Sequence, residues 1–165
     1  MLAHTFNTSI KHNSHKSRCA GFSMVETLVS LLVLSIGLLG VAGLQVSGMK
    51  ANQSAYIRSQ ATLAAYDMID RMRTNPDGVT ANHYNSMSSA SLPNDPNCVT
   101  SDSGCTAAAL AANDLREWTY EHLSLLSSGS GTVTKSGSVF TVSVNWVDPS
   151  ETTSPNKSIS INFQM

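Results

Sequence analysis

A single apolar run near the N-terminus constrains this chain more than any other feature. From Thr27 to Met49 the sequence carries no charged residue, and about 20 such residues in a helix are enough to cross a bilayer core. One acid, Glu26, stands at the leading edge of the run. An acid at the centre of a membrane helix costs about 2.5–3.5 kcal/mol on insertion scales, so Glu26 needs a partner. Cleavage after Gly21 would provide one, because the new amine of Phe22 would lie one helical turn from Glu26.

The charges on either side of the run predict its orientation. Three cations, Lys11, Lys16 and Arg18, precede it, which favours a cytoplasmic N-terminus and places everything after Lys50 on the opposite side. Residues 22–165 contain the remaining seven basic residues and all eleven acids. This balance offers no basic patch for nucleic acid.

The cysteines are typical of an oxidising compartment. Cys19 precedes the expected cleavage point, whereas Cys98 and Cys105 form a pair in a polar stretch. We expect them to form a disulfide, which would stabilise a loop of about eight residues by roughly 2–3 kcal/mol. A zinc site would need two more soft ligands nearby, and the spacing does not fit a CxxC redox centre.

The helical period continues beyond the apolar run. Between Ala51 and Arg73 the apolar residues recur every three or four positions, which predicts one amphipathic face continuous with the preceding helix. The whole helix would contain about fifty residues. Pro76 should end it, because proline cannot continue the hydrogen-bond ladder and also restricts Asn75.

The middle of the chain predicts a loop and a second helix. Residues 79–104 are rich in Asn, Ser, Asp and Pro, which is typical of an irregular loop. Thr106 can cap a helix that follows it. The expected buried stripe of that helix is Ala111, Leu115, Trp118, Leu125 and Leu126, with Asp114, Arg116, Glu117 and Glu121 facing water. We expect His122 to be a packing or surface residue rather than a catalytic one.

Acids in and just before the loop could form a calcium site. It would use Asp77, Asp95 and Asp102, but scattered acids in a polar loop are usually solvated. We therefore expect no metal and no cofactor.

The C-terminal third changes to a period of two. Phe140, Val142, Val144 and Trp146 fall on one face of a strand, and Ile159, Ile161 and Phe163 repeat the pattern. Residues 131–135 should pair with the first strand through a turn at Ser136–Gly137. The prediction is an α+β fold, in which a long N-terminal helix covers an antiparallel sheet of three to four strands and Trp118 meets Trp146 in the core.

The residues from Gly21 to Val29 carry a family resemblance. Glycine, an aromatic residue, glutamate five positions in and an unbroken apolar run resemble the class III signal of type IV pilins and pseudopilins. The resemblance implies that prepilin peptidase cleaves after Gly21 and methylates the amine of Phe22. It also implies that Glu26 neutralises the Phe22 amine of an adjacent subunit during filament assembly.

The family implies a division of the chain into four segments. These are a leader (1–21), a membrane and filament-core helix (22–50), its amphipathic continuation (51–73) and a periplasmic head (74–165). The protein would lie in the inner membrane with a cytoplasmic N-terminus and then enter an extracellular pilus. The order of the helix with Asp114, Leu115 and Trp118 before a strand ending in Trp146–Asp148 is similar to that of minor pilins.

A minor pilin would be a non-enzymatic subunit that helps to initiate pilus assembly. The partners implied are prepilin peptidase, other minor pilins, the major pilin, the inner-membrane assembly platform and membrane lipid. Three alternatives remain: a minor pseudopilin of a type II secretion system, a pilus-tip adhesin that binds through residues 79–104, and an uncleaved membrane anchor. An ordinary secretory signal fits less well, because its apolar core is shorter and is cut on the far side.

Overall fold

A computed structural model describes residues 21–98 and 104–165 of the chain. The first helix, α1, runs over Met24–Thr74 and has 51 residues, as the uninterrupted apolar and amphipathic periods predict. In the described ranges it is the one helix long and apolar enough to span a membrane, and its most apolar window has no buried residue. The described residues form two compact units, one ending at Gly43 and the other beginning at Leu44.

The second unit contains two further helices. The long helix ends before Pro76, as predicted, and a separate short helix, α2, follows at once over Pro76–Thr80. Pro76 occupies its first turn, where a missing N–H costs no hydrogen bond. The third helix, α3, covers Ala107–Glu121, and a single 3-10 turn follows at Leu123–Leu125.

In the described residues, four antiparallel strands form one sheet in the order β1-β2-β3-β4. They are β1 at Met87–Ser88, β2 at Ser130–Ser136, β3 at Val139–Val147 and β4 at Asn156–Gln164. The strand β1 pairs with β2 through Met87 and Val133. The expectation of an irregular loop over 79–104 is therefore wrong at β1, whose two residues are too few to show an alternating pattern.

The turn between β2 and β3 lies one residue later than expected. Ser136 pairs with Val139, which leaves Gly137 and Ser138 as a two-residue connection. Gly137 has a φ of 59°, a left-handed conformation that glycine adopts without a steric penalty.

One hydrophobic core lies between α1, α3 and the inner face of the sheet. Trp118 and Trp146 both belong to it, as do the four inward residues expected for β3 and the alternating residues of β4 at its margin. The part of α1 that covers the core contributes mainly small or unbranched side chains, namely Ala61, Ala64, Ala65, Met68, Ile69 and Met72. The α+β fold predicted from the sequence is confirmed.

The predicted buried and exposed faces of α3 need two corrections, one beyond its C-terminal end and one within the helix. Leu125 is 73% exposed, and Leu123 is buried instead. The helical period ends at Glu121, so a stripe extrapolated past that residue selects the wrong leucine. Asp114 is only 5% exposed, although it was expected to face water. Its side chain is buried because it has partners on two other segments.

Candidate functional site

The peptide bond between Gly21 and Phe22 lies immediately before α1 and outside it. Ser23 caps the helix: its hydroxyl accepts a hydrogen bond from the Val25 N–H at 3.3 Å, and its carbonyl accepts from Glu26 at 3.0 Å. A capping serine fixes where a helix starts. Gly21 and Phe22 are therefore non-helical, and Phe22 is 80% exposed.

Glu26 is the acid in the first turn of α1. A carboxylate is favoured there because the helix N-terminus carries a partial positive charge. Within the described residues the Glu26 carboxylate has no side-chain hydrogen bond or ion pair. Lys11, Lys16, Arg18 and Cys19 lie outside the described residues.

The two remaining cysteines form a disulfide. Cys98 and Cys105 are bonded, with their Cα atoms 5.4 Å apart. The bond closes a loop directly before α3, whose first N–H groups are capped by Thr106 through a 3.2 Å bond from the Ala109 N–H. Residues 99–103 of this loop lie outside the described ranges.

Arg71 joins α1 to α3 through a group of carboxylates. Its guanidinium donates to Asp67 at 2.7 Å, to Glu117 at 2.5 Å and to Glu121 at 2.8 Å. Burial opposes the charged form of Arg71, but the hydrogen bonds to Asp67 and Glu117 raise its pKa above its ordinary value. The Arg71 bond, followed by one from Asn113, lowers the pKa of Glu117.

A buried polar chain continues from this group into the connection after α1. Asn75 accepts from the Gly78 N–H at 3.1 Å and donates to the Tyr84 hydroxyl at 3.0 Å. Tyr84 in turn donates to Asp114. Burial raises the pKa of both Tyr84 and Asp114, and the Tyr84 hydrogen bond and the Arg71 charge oppose the rise at Asp114. The chain fastens the start of the loop to α3.

Asp148 makes a similar connection between the sheet and α1. It is 1% exposed, and its carboxylate accepts from the Ser54 hydroxyl at 2.5 Å. Ser150 donates to it from both its hydroxyl and its N–H, at 2.5 and 2.9 Å. Hydrogen bonds from the Ser150 hydroxyl and from Ser54 lower the pKa of Asp148.

Sequence reasoning missed these three polar connections. Asn75 before Pro76 has the pattern of a helix N-cap and could have been recognised. Tyr84 and Asp148 have no periodic signal, because each makes its contacts from an irregular segment with residues distant in sequence.

The calcium site considered from the sequence does not form in the described part of the chain. No group of three His, Cys, Asp or Glu residues that could hold a metal occurs there. Asp95 instead accepts from the Asn97 N–H at 2.8 Å and lies 3.6 Å from Arg116. Asp102 lies outside the described residues. His122 lies 3.3 Å from Asp67 at the edge of the Arg71 group.

Two family models match adjacent segments of the sequence. The first is the prokaryotic N-terminal methylation motif, over residues 16–42. The second is described as type IV pilin Tt1218, over residues 43–116. No curated protein and no solved structure matches the chain. Residues 16–42 are therefore similar to the prokaryotic N-terminal methylation motif, and residues 43–116, which follow directly, are similar to a type IV pilin.

Proposed function

We propose that this chain is a minor type IV pilin of the PilV type, a structural subunit that helps to initiate pilus assembly. The single observation that supports this most is the arrangement at the start of α1. A non-helical Gly21–Phe22 bond, a serine cap and Glu26 in the first turn stand directly before an apolar helix. Prepilin peptidase would cleave after Gly21 and methylate the amine of Phe22.

The proposed order of events follows from charge. While the leader is attached, Phe22 has no amine and Glu26 lacks a cation of this kind. Cleavage creates a positive charge about one turn from Glu26. In an apolar environment an acid is stabilised by a cationic partner, and the amine of an adjacent subunit supplies one. Maturation and polymerisation are therefore coupled by a single ion pair.

The remaining segments have roles that fit this proposal. Residues 22–50 anchor the subunit in the inner membrane and then lie in the filament core, and residues 51–73 continue the helix beneath the head. Residues 74–165 form the periplasmic head, whose surface selects other minor pilins and the major pilin. Membrane lipid, the assembly platform and the peptidase are the further partners.

The PilV assignment rests on positions in the head. Asp114, Leu115 and Trp118 on α3, together with Trp146 and Asp148 at the end of β3, are the residues that suggest this subfamily. In this chain Trp118 donates its indole N–H to the Ala64 carbonyl of α1 at 2.7 Å. Residues that suggest the subfamily thus also fix α3 and the sheet to α1.

Incorporation of variants into filaments tests the ion pair. Cells producing Glu26→Ala should place about 10- to 100-fold less of this subunit in sheared pili than the parent, as expected for loss of a hydrogen bond between charged groups. Glu26→Asp, which retains the charge, should lose much less. The membrane fraction should contain all three proteins in similar amounts. Equal incorporation of Glu26→Ala would refute the proposed pairing.

A minor pseudopilin of a type II secretion system is the alternative with the same N-terminal arrangement. Deletion of the gene separates the two. A pilin deletion should abolish surface pili and twitching and leave protein secretion intact, whereas a pseudopilin deletion should do the reverse.

A further inference from the structure

A small cavity at the margin of the head has an unusual set of hydrogen-bond donors. It has a volume of about 170 Å³ and lies between α1, the end of β3 and the start of β4. Its walls are formed by Ser54, Arg58, Trp146, Glu151, Lys157 and Ser158. A water occupies about 30 Å³ of liquid volume, so the cavity has room for the end of a side chain.

One residue of the cavity wall, Trp146, carries a buried indole. Trp146 is 4% exposed, and its Nε1 is closed to solvent without a hydrogen-bond partner in the described residues. A buried N–H that lacks an acceptor costs about 1–3 kcal/mol. The other indole of the chain differs, because the Trp118 N–H donates to Ala64. An acceptor in this cavity that reached the Trp146 Nε1 would relieve this cost.

A second donor is an unpaired guanidinium. Of the four arginines in residues 21–98 and 104–165, Arg71, Arg73 and Arg116 have carboxylate partners. The exposed Arg58 side chain has no ion pair or hydrogen bond within these ranges. Arginine binds a carboxylate through two parallel N–H bonds.

The other charges around the cavity already have partners. Lys157 is paired with Glu151. Asp148, which lies beside the cavity, accepts hydrogen bonds from Ser54 and Ser150. Arg58 is therefore the one charged group of this wall that lacks a partner in the described part of the chain. A single unpaired cation matches a ligand with one negative charge better than a dianion.

We propose that this cavity binds a carboxylate, presented by a glutamate or aspartate side chain of a neighbouring polypeptide. Arg58 binds the carboxylate oxygens, and an oxygen accepts the Trp146 indole N–H. Because the Trp146 Nε1 is closed to solvent, a side chain on the cavity rim must move before an acceptor can reach it. The Arg58 side chain can move, because no partner in the described residues holds it in place. The inference does not depend on the proposed pilus function.

The two tryptophans provide a probe and an internal reference. We would record the indole N–H signals of the ¹⁵N-labelled full chain in detergent micelles while adding a short peptide with one central glutamate. The Trp146 signal should shift and the Trp118 signal should not. The same peptide with glutamine in place of glutamate should leave both unchanged. Movement of both signals, or of neither, would overturn the proposal.

Variants on α1 test the role of Arg58. Arg58→Gln should weaken binding of the glutamate peptide by about 10- to 100-fold, the range expected for a charge-assisted hydrogen bond. Arg73→Gln, an exposed arginine on the same helix, should leave the affinity unchanged. If Arg58→Gln bound as tightly as the parent, the cavity would not be a carboxylate site.

Two small molecules, acetate and inorganic phosphate, test whether the ligand is a carboxylate of a polypeptide, a free carboxylate or a phosphate. Acetate should produce the Trp146 shift at much higher concentration than the glutamate peptide, because it lacks the flanking chain. If acetate bound as tightly as the peptide, the polypeptide source would be wrong and the ligand would be a free carboxylate. Inorganic phosphate that bound more tightly than both would overturn the choice of a carboxylate.

Discussion

At the scale of single residues, a dense group of charges in the described part of the head surrounds Arg71. One guanidinium contacts carboxylates from α1 and α3, and its side chain is 18% exposed. Asp114 lies 4.0 Å from it on its buried side. Without the cation, several negative charges would lie close together in a partly desolvated place.

Replacement of Arg71 tests whether its positive charge stabilises the fold by neutralising these carboxylates. Arg71→Met retains much of the apolar stem, so the effect should come mainly from the unpaired carboxylates. We expect the free energy of unfolding to fall by about 2–3 kcal/mol, less than the cost of breaking a fully buried pair. Urea denaturation of the purified chain in detergent measures this change in the free energy of unfolding. Arg73→Met removes an exposed pair with Asp70 and should change stability by less than about 1 kcal/mol. Equal effects would contradict the role assigned to Arg71.

The lowered pKa of Asp148 predicts how the stability of the fold depends on pH. Its folded pKa lies below the ordinary value of 3.8, so its ionised form stabilises the fold above that pH, and the contribution is lost as the pH falls through the folded pKa. Asp148→Asn should therefore be clearly less stable than the parent at pH 7, and the difference should shrink below pH 3.8. Urea denaturation at pH 7 and pH 3 measures this. A difference independent of pH would show that the hydrogen-bond geometry, rather than the charge, is responsible.

At the scale of elements, the sequence predicted the regular parts well. The continuous apolar and amphipathic periods predicted α1, Thr106 predicted the start of α3, and alternation predicted β3 and β4. The same patterns could not locate β1, because two residues show no period. They also predicted that Asp114 is exposed. A helical period indicates which face is apolar, but it does not show that Tyr84 and Arg71 contact Asp114 from other segments.

The contact between α3 and β2 depends on a glycine. A Cβ added at Gly131 would lie 2.1 Å from the ring of Trp118, so Gly131→Ala should force the ring to shift. Overpacking of this kind typically costs about 1–3 kcal/mol. Gly48→Ala is a matched control, because a Cβ there meets no atom within 4 Å and alanine favours a helix. Thermal unfolding of both variants measures the effect, and an unchanged melting temperature for Gly131→Ala would contradict the packing described.

At the scale of the whole molecule, the two ends of the chain have different roles in the proposed function. In the proposed function, the N-terminal segment is cleaved and Glu26 then pairs with a cation in an apolar environment. In the head, the disulfide closes a loop before α3, the Arg71 group joins α1 to α3, and Asp148 fastens the end of β3 to α1. The proposed processing residues, Gly21 and Phe22, could be named from the sequence because they are adjacent in it. The polar connections were not, because they join residues distant along the chain, such as Ser54 and Asp148.

The most direct test of the central claim is the mass of the N-terminal peptide of the mature protein. It should be measured on protein purified from cells with and without prepilin peptidase. The account predicts a peptide that begins at N-methylated Phe22 when the peptidase is present and a chain that still contains residues 1–21 when it is absent. A chain that keeps its bond between Gly21 and Phe22 in both strains would contradict the account.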